Sequence, residues 1–200
     1  MYDWRRMSPD ERQRVVDMRR RDRMPWHRPP HCQYDTEHRY LLSAACYEHK
    51  PIVGQYPERM AECEEQLLEI SRAHSTQVHA WSILPNHYHV LLETQRLPEL
   101  LAEVGRFHGR SSRVWNKRDG SIGRKVWYSC IDRAMRSDRH FWVSMNYVHH
   151  NPVRHGYVER WQDWPFSSAA AFLEAVGRET AEEICREYPI LDYGESWDPP

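Results

Sequence analysis

Apolar residues along the chain recur with two periods, one helical and one extended. Between Pro57 and His74, Met60, Cys63, Leu67 and Ile70 return every three or four residues, the stripe of an amphipathic helix. Val78–Leu84 and His87–Thr94 are short apolar runs joined at Pro85-Asn86, a turn dipeptide, and read as two strands. Arg39 to Tyr47 (RYLLSAACY) is a further strand candidate. A helix is predicted over Leu97 to about Lys117, then a basic loop, Arg118–Lys125, then a strand over Val126–Ile131. Asp138 can start a long helix that runs to about Asn151 and stops before Pro152, because proline supplies no amide and disfavours helix in the residue before it. Beyond Gly156 lies an aromatic segment, WQDWPFSS, followed by short helices.

Strand, helix, strand, strand, helix, strand and a further helix is the order of an α+β fold, a ferredoxin-like sandwich whose antiparallel sheet is covered by helices on one face. Ahead of it, Ser8-Pro9-Asp10-Glu11 reads as a capped helix start, with the helix running to about Arg23 and broken by the prolines of Met24–His31. The chain then divides into a basic N-terminal arm with a short helix (1–31), a main domain (32–170) and an acidic helical C-terminal tail (171–200).

The 200 residues suit one domain with appended segments. Nine Trp and eleven Tyr are many for this length; burial accounts for most, and platforms on which bases stack could account for a few. No run of about 18 apolar residues occurs, so no membrane span is expected, and the charged N-terminus does not read as a secretory signal. Cys32, Cys46, Cys63, Cys130 and Cys185 are scattered and never spaced as CxxC, which argues against a disulfide framework and for a reducing cytoplasm. The net charge of −1 hides strong segregation. Residues 1–31 hold nine Arg against five acids, and 32–95 hold four basic residues against nine acidic. Residues 96–160 hold thirteen basic against six acidic, and 161–200 two against nine. A basic centre suits either an anionic partner or a solvated charged face.

The sharpest local chemistry is His87-Tyr88-His89. Side chains alternate along a strand, so the two imidazoles share a face, roughly 7 Å apart along the chain, where they can grip one divalent ion or simply pair structurally. On the 138–151 helix, Phe141, Met145 and Val148 face the core, and Tyr147 and Asn151, four apart, stack on its flank. Tyr147 is either a boundary aromatic or a phenol nucleophile. Asn151 either caps the helix or offers an amide oxygen as a third metal ligand, with His150 as a competing ligand further around the helix.

Taken together these segments resemble a known family. Leu84-Pro85-Asn86-His87-Tyr88-His89-Val90-Leu91-Leu92-Glu93 resembles the "MPNHxHLLLE" strand pair of single-tyrosine His-hydrophobic-His transposases. Asn146-Tyr147-Val148-His149-His150-Asn151-Pro152-Val153-Arg154 resembles their "RYIxxNPVRAGLV" segment, and Trp164-Pro165-Phe166-Ser167-Ser168 their "YPWSS". The branch most similar is the REP-associated tyrosine transposases, and the resemblance spans roughly residues 39–170. Asn146 stands where the family has Arg, His155 where it often has Ala, and Tyr88 where a smaller apolar residue is usual.

The resemblance implies His87, His89 and Asn151 as ligands of Mg²⁺ or Mn²⁺ and Tyr147 as the nucleophile. The ion would polarise the scissile phosphate, and the tyrosine would form a 5′-phosphotyrosine link that a free 3′-OH can reverse. Among the other tyrosines, Tyr88 points away from the histidines, Tyr128 lies in a strand read as buried, and Tyr157 lies past the helix end. The implied partner is single-stranded DNA carrying a hairpin or palindrome, bound by a monomer or homodimer. Arg106, Arg110, Arg113 and Lys117 along one helix side, with Arg124, Lys125 and Arg154, would contact its phosphates, which positions a strand without specifying its sequence. Two further readings stay open: a domesticated hairpin-binding protein without useful catalysis, and an unrelated metal hydrolase in which Tyr147 is structural.

Overall fold

The computed structural model describes residues 8–21 and 37–194. The helix-breaking stretch Met24–His31 lies outside the described residues. Helix α1 (Pro9–Arg21) lies in a unit separate from Gln33–Tyr193 and is described by itself. It opens on a capping box: Ser8 N–H donates to Glu11 Oε2 at 2.7 Å and Glu11 N–H donates to Ser8 Oγ at 3.3 Å, satisfying two helix-end amides reciprocally.

The unit Gln33–Tyr193 is built on a four-stranded antiparallel sheet in the order β2-β3-β1-β4, with β1 His38–Ala45, β2 Gln77–Ile83, β3 His87–Thr94 and β4 Ile131–Ala134. Helix α2 (Pro57–His74) joins β1 to β2, and α3 (Leu97–Arg118) joins β3 to β4, giving the ferredoxin-like α+β arrangement. Strand β1 runs antiparallel to β3 from His38↔Thr94 to Ala45↔His87. Tyr40, Leu42 and Ala44 of β1 and Tyr88, Val90 and Leu92 of β3 meet Met60, Cys63 and Leu67 of α2 and Leu100, Val104 and Phe107 of α3 in one core.

The helices expected on one face are α2 and α3. The opposite face is covered by α4 (Asp138–Arg154), which packs on β2 and β3. The reason lies in β3, whose apolar residues Val90, Leu91 and Leu92 fall on both faces; a strand buried on both sides needs a layer on each.

The fourth strand differs from expectation. Of the expected Val126–Ile131 strand, residues 126–130 make only a single bridge, Trp127 to Cys46; the strand is Ile131–Ala134. Val126 and Trp127 are apolar because they fill the core. The Trp127 ring stacks on His108 at 4.6 Å and its Nε1–H donates to Ser111 Oγ at 3.0 Å. The sequence IDRA, half-buried at a sheet edge, lacks the apolar alternation that marks an interior strand.

Helix α4 also runs past Pro152. Proline removes one amide, but His155 N–H still donates to Asn151 O at 3.1 Å and Gly156, at φ +71, closes the end. Asn151 therefore sits inside the helix rather than capping it. Ser137 is the N-cap, its Oγ accepting from His140 N–H. The WPFSS segment covers the β2 edge: Ile83 N–H donates to Phe166 O and Ser168 N–H to Trp81 O. Helix α5 (Ala169–Val176) follows directly and α6 (Arg178–Glu187) after it.

The turn between β2 and β3 is buttressed from below. Gly54 N–H donates to Pro85 O at 2.9 Å, and a Cβ on Gly54 would strike the Pro85 ring and Cα, so only glycine allows this approach. Among the described residues, Cys46, Cys63, Cys130 and Cys185 are free thiols, and burial pushes Cys46 and Cys130 up to about 12, far from a reactive thiolate. None of the described helices is long and apolar enough to cross a membrane.

One buried ion cluster ties α2 to the loop after α3. Arg59, fully buried, donates from Nη2 to Asp119 Oδ1 at 2.6 Å, and Arg124 donates from Nη2 to Asp119 Oδ2 at 2.6 Å. Hydrogen bonds from Arg59, then Arg124, hold the Asp119 carboxyl below its ordinary range against its desolvation. Asp119→Asn should cost about 3 kcal/mol in urea unfolding at neutral pH, because Arg59 is left buried without its counter-charge. A carboxylate with a depressed folded pKa stabilises above its unfolded pKa, and that contribution is lost as pH falls through the folded value. Wild type and variant should therefore converge in stability at acid pH. A difference that persists unchanged at low pH would rule out the ion cluster as its source.

Candidate functional site

His87 and His89 project from β3 on the face that carries α4, each 1% exposed, with ring centroids 5.0 Å apart. Each ring is held from behind. Asn86 Nδ2–H donates to His49 O at 3.2 Å, which turns Asn86 Oδ1 toward His87 Nδ1 at 2.7 Å. An amide oxygen can only accept, so His87 Nδ1 carries the proton. Ser43, paired with His89 across the β1–β3 ladder, places Oγ 2.7 Å from His89 Nδ1. Both Nε2 atoms are thereby aimed at α4, the arrangement in which a second partner orients a ligating imidazole.

Helix α4 meets them with Tyr147 and Asn151, one turn apart and each 1% exposed. Tyr147 Oη lies 3.5 Å from His89 Nε2, and Asn151 Oδ1 lies 2.7 Å from His87 Nε2. With the proton on Nδ1, His87 presents a lone pair to a carbonyl oxygen. Two acceptors at that separation repel unless a proton or a cation lies between them. Asn151 Nδ2 is buried and has no hydrogen-bond partner, so the amide is oriented by its oxygen alone. His87 Nε2, His89 Nε2 and Asn151 Oδ1 thus fit the donor set of a divalent ion that tolerates nitrogen and oxygen together. Among the described residues no group of three or more His, Cys, Asp or Glu could hold a metal.

The four central residues read from the sequence are brought together; the others are distributed. His150 turns away, its Nδ1 2.9 Å from Asn146 O and its ring against Trp161 at 5.4 Å. Arg154 stays beside the site, its guanidinium carbon 6.0 Å from the Tyr147 ring centroid. Arg106, Arg110, Arg113 and Lys117 are exposed on α3, the helix that covers the other face of the sheet. Arg106 pairs there with Glu103. Arg124 turns inward to Asp119 and to Asn116 Oδ1. Lys125 is exposed, its Nζ 4.7 Å from the Tyr47 ring centroid. Tyr128 lies in no strand and is half-buried.

Several neighbours escaped the sequence reading. The His155 ring packs on His87 at 4.9 Å, and Tyr193 packs edge-on to Tyr147 at 5.6 Å with its hydroxyl 2.6 Å from Ser144 Oγ. Arg133, opposite Leu41 on β4, is partly desolvated, which lowers its pKa, while Tyr193 and Tyr147 act to raise it. Asn86 carried a signal, its place beside the histidines; the others are joined to the site only by tertiary contact.

A ferredoxin-like sheet with paired histidines on a central strand, facing a tyrosine and an amide on a crossing helix, defines an α+β domain built around one imidazole–phenol cluster. The family model described as "Transposase IS200 like" matches residues 38–160, and the chain belongs to that family. It is 28% identical over 104 residues to a REP-associated tyrosine transposase of Escherichia coli K12, covering 51% of this chain and 59% of that protein. It is 31% identical over 100 residues to a Haemophilus influenzae protein provisionally assigned the same description, covering 43% and 54%. The chain thus spans little more than half the length of these curated relatives. A solved REP-associated tyrosine transposase bound to a REP hairpin aligns over 86% of this chain and 92% of that one, at 18% identity and a TM-score of 0.49.

The orienting contacts generate a test. Calorimetric titration with Mn²⁺ should show binding that His87→Ala and His89→Ala abolish. Asn86→Ala, which leaves all three donors in place, should weaken it by about tenfold. Unchanged Mn²⁺ affinity in Asn86→Ala would show that the Nδ1 contact does not orient the ring.

Proposed function

We propose that this chain is a metal-dependent single-stranded DNA endonuclease and strand transferase, transposase-like, that nicks near hairpin or palindromic elements through a 5′-phosphotyrosine intermediate. The observation that carries this reading is the convergence of Tyr147 Oη on His89 Nε2 and of Asn151 Oδ1 on His87 Nε2 from two separate elements. Mg²⁺ or Mn²⁺ held by His87, His89 and Asn151 would supply positive charge to the scissile phosphate.

The chain's own residues do the rest. Tyr147 Oη forms a bond to phosphorus as the bond to the 3′ oxygen breaks, and the exchange keeps a phosphodiester throughout, so a 3′-OH can reverse it. Arg154, whose guanidinium lies 6.0 Å from the Tyr147 ring centroid, would meet a phosphate at the site, and the exposed Lys125 another along the strand. Arg106, Arg110, Arg113 and Lys117 serve DNA running over the α3 face, while Arg124 acts by holding the Arg118–Lys125 loop. Membership of the IS200-like family and the REP-associated relatives support the choice of hairpin DNA.

One observation favours a second reading, a hairpin-binding protein without useful catalysis: Tyr147 is 1% exposed, with Tyr193 packed on it. A nucleophile must meet its phosphate, so catalysis requires this packing to open.

The two readings separate on a covalent product. Incubation with end-labelled single-stranded hairpin DNA and Mn²⁺, followed by denaturing electrophoresis and peptide mapping, should give an adduct at Tyr147. Tyr147→Phe removes only the hydroxyl and should abolish the adduct while leaving DNA affinity within about twofold. An adduct mapped to another tyrosine, or cleavage by Tyr147→Phe at the wild-type rate, would refute the assignment. Affinity for the hairpin should also fall at least about tenfold between roughly 50 and 200 mM salt, the signature of several released counterions. Affinity indifferent to salt would remove the basic residues from the interface.

A further inference from the structure

Linked by hydrogen bonds to the turn that carries His87 lies an aromatic cluster with no part in the proposed chemistry. Cys46 and Trp127 form a bridge, and both point into the core, 0% and 6% exposed. Their neighbours in sequence are Tyr47, which opens the short 3-10 turn Tyr47–His49, and Tyr128, which lies in no strand. Their rings pack at 5.1 Å, both half-buried, with the His49 ring 6.2 Å from Tyr128. The exposed Lys125 holds its Nζ 4.7 Å from the Tyr47 centroid and 5.4 Å from that of Tyr128.

The cluster is coupled to His87 by the backbone. Tyr128 N–H donates to the carbonyl of Ala45, the residue paired with His87, and Cys46 N–H donates to Asn86 O. The Asn86 side chain bridges the two, donating to His49 O while its oxygen faces His87 Nδ1. Glu48 and His49 sit at φ +59 and +52, left-handed values that non-glycine residues hold only when the surroundings impose them. Strain of this kind clusters at functional sites.

We propose that Tyr47 and Tyr128, with Lys125, form a stacking subsite for an unpaired nucleobase of the single strand next to the scissile phosphate. This rests on the proposed nuclease reading and deepens it. A phosphodiester can reach a buried tyrosine only if the flanking bases leave the helical stack, and an aromatic surface beside a cation replaces that stacking for any base while the ammonium meets the backbone charge.

The test uses the full chain and a DNA hairpin with or without a short single-stranded extension. Tyr47→Ala and Tyr128→Ala should each weaken binding of the extended hairpin by about tenfold and leave the bare hairpin unaffected. Tyr47→Phe and Tyr128→Phe, which keep the ring, should bind like wild type. Abasic positions in the extension should cost wild-type protein the same factor and cost the Ala variants nothing more, so the proposal is decided even if an Ala variant folds poorly. A 2-aminopurine in the extension should be quenched by wild type and not by the Ala variants. Equal affinity of wild type for abasic and normal extensions, or quenching that survives both Ala substitutions, overturns the subsite. Adduct formation at Tyr147, measured in parallel, separates the two ideas: an adduct with no effect of the Ala variants removes the platform alone, and quenching without an adduct keeps the platform and removes the chemistry.

Discussion

A strand buried on both sides must find a layer for each of its two sets of alternating side chains. In β3, Tyr88, Val90 and Leu92 meet α2 and α3, and His87, His89 and Leu91 meet α4. That division makes the first face a core and the second a site. Tyr88 shows how strict it is: its hydroxyl lies 3.0 Å from His108 Nε2 among the core aromatics, and burial raises its pKa far above the ordinary tyrosine range. The tyrosine between the two histidines therefore has no access to them, and the phenol of the site must come from another element.

Burying two imidazoles costs free energy unless their polar atoms are met, and here each nitrogen has a named neighbour. Ser43 reaches His89 because the β1–β3 register sets them opposite, and Asn86 reaches His87 because the turn that carries it is braced by Gly54 against Pro85. The turn, the loop 47–49 and the first histidine are linked through one amide.

The order of elements was legible because each long segment carries its own period: the α2 stripe, the β2–β3 pair around Pro85-Asn86 and the α3 helix stand where the pattern puts them. The two departures have local causes. Val126 and Trp127 are apolar for reasons of packing rather than of strand pairing, and Pro152 falls in a final turn where the loss of one amide is tolerated. At the site, periodicity put His87 and His89 on one strand face and Tyr147 and Asn151 on one helix flank, and the family resemblance singled these four out. Tyr193, Arg133 and His155 were not visible, since each reaches Tyr147 or His87 across a separation in sequence that no period records. Helical spacing correctly put Arg106, Arg110, Arg113 and Lys117 on one side of α3 but could not say which side of the sheet α3 would occupy.

That last point constrains how DNA can lie. Tyr147 and Arg154 belong to the layer on one face of the sheet, and the α3 stripe to the layer on the other. A helix is about 10 Å across and a sheet separates the two layers, so no single phosphate can touch both groups. If both bind one DNA molecule, they contact different nucleotides of it. Phosphate contacts on α3 would then hold and orient a paired segment without reading it, while Arg154, Lys125 and the aromatic pair handle the unpaired strand at the histidines.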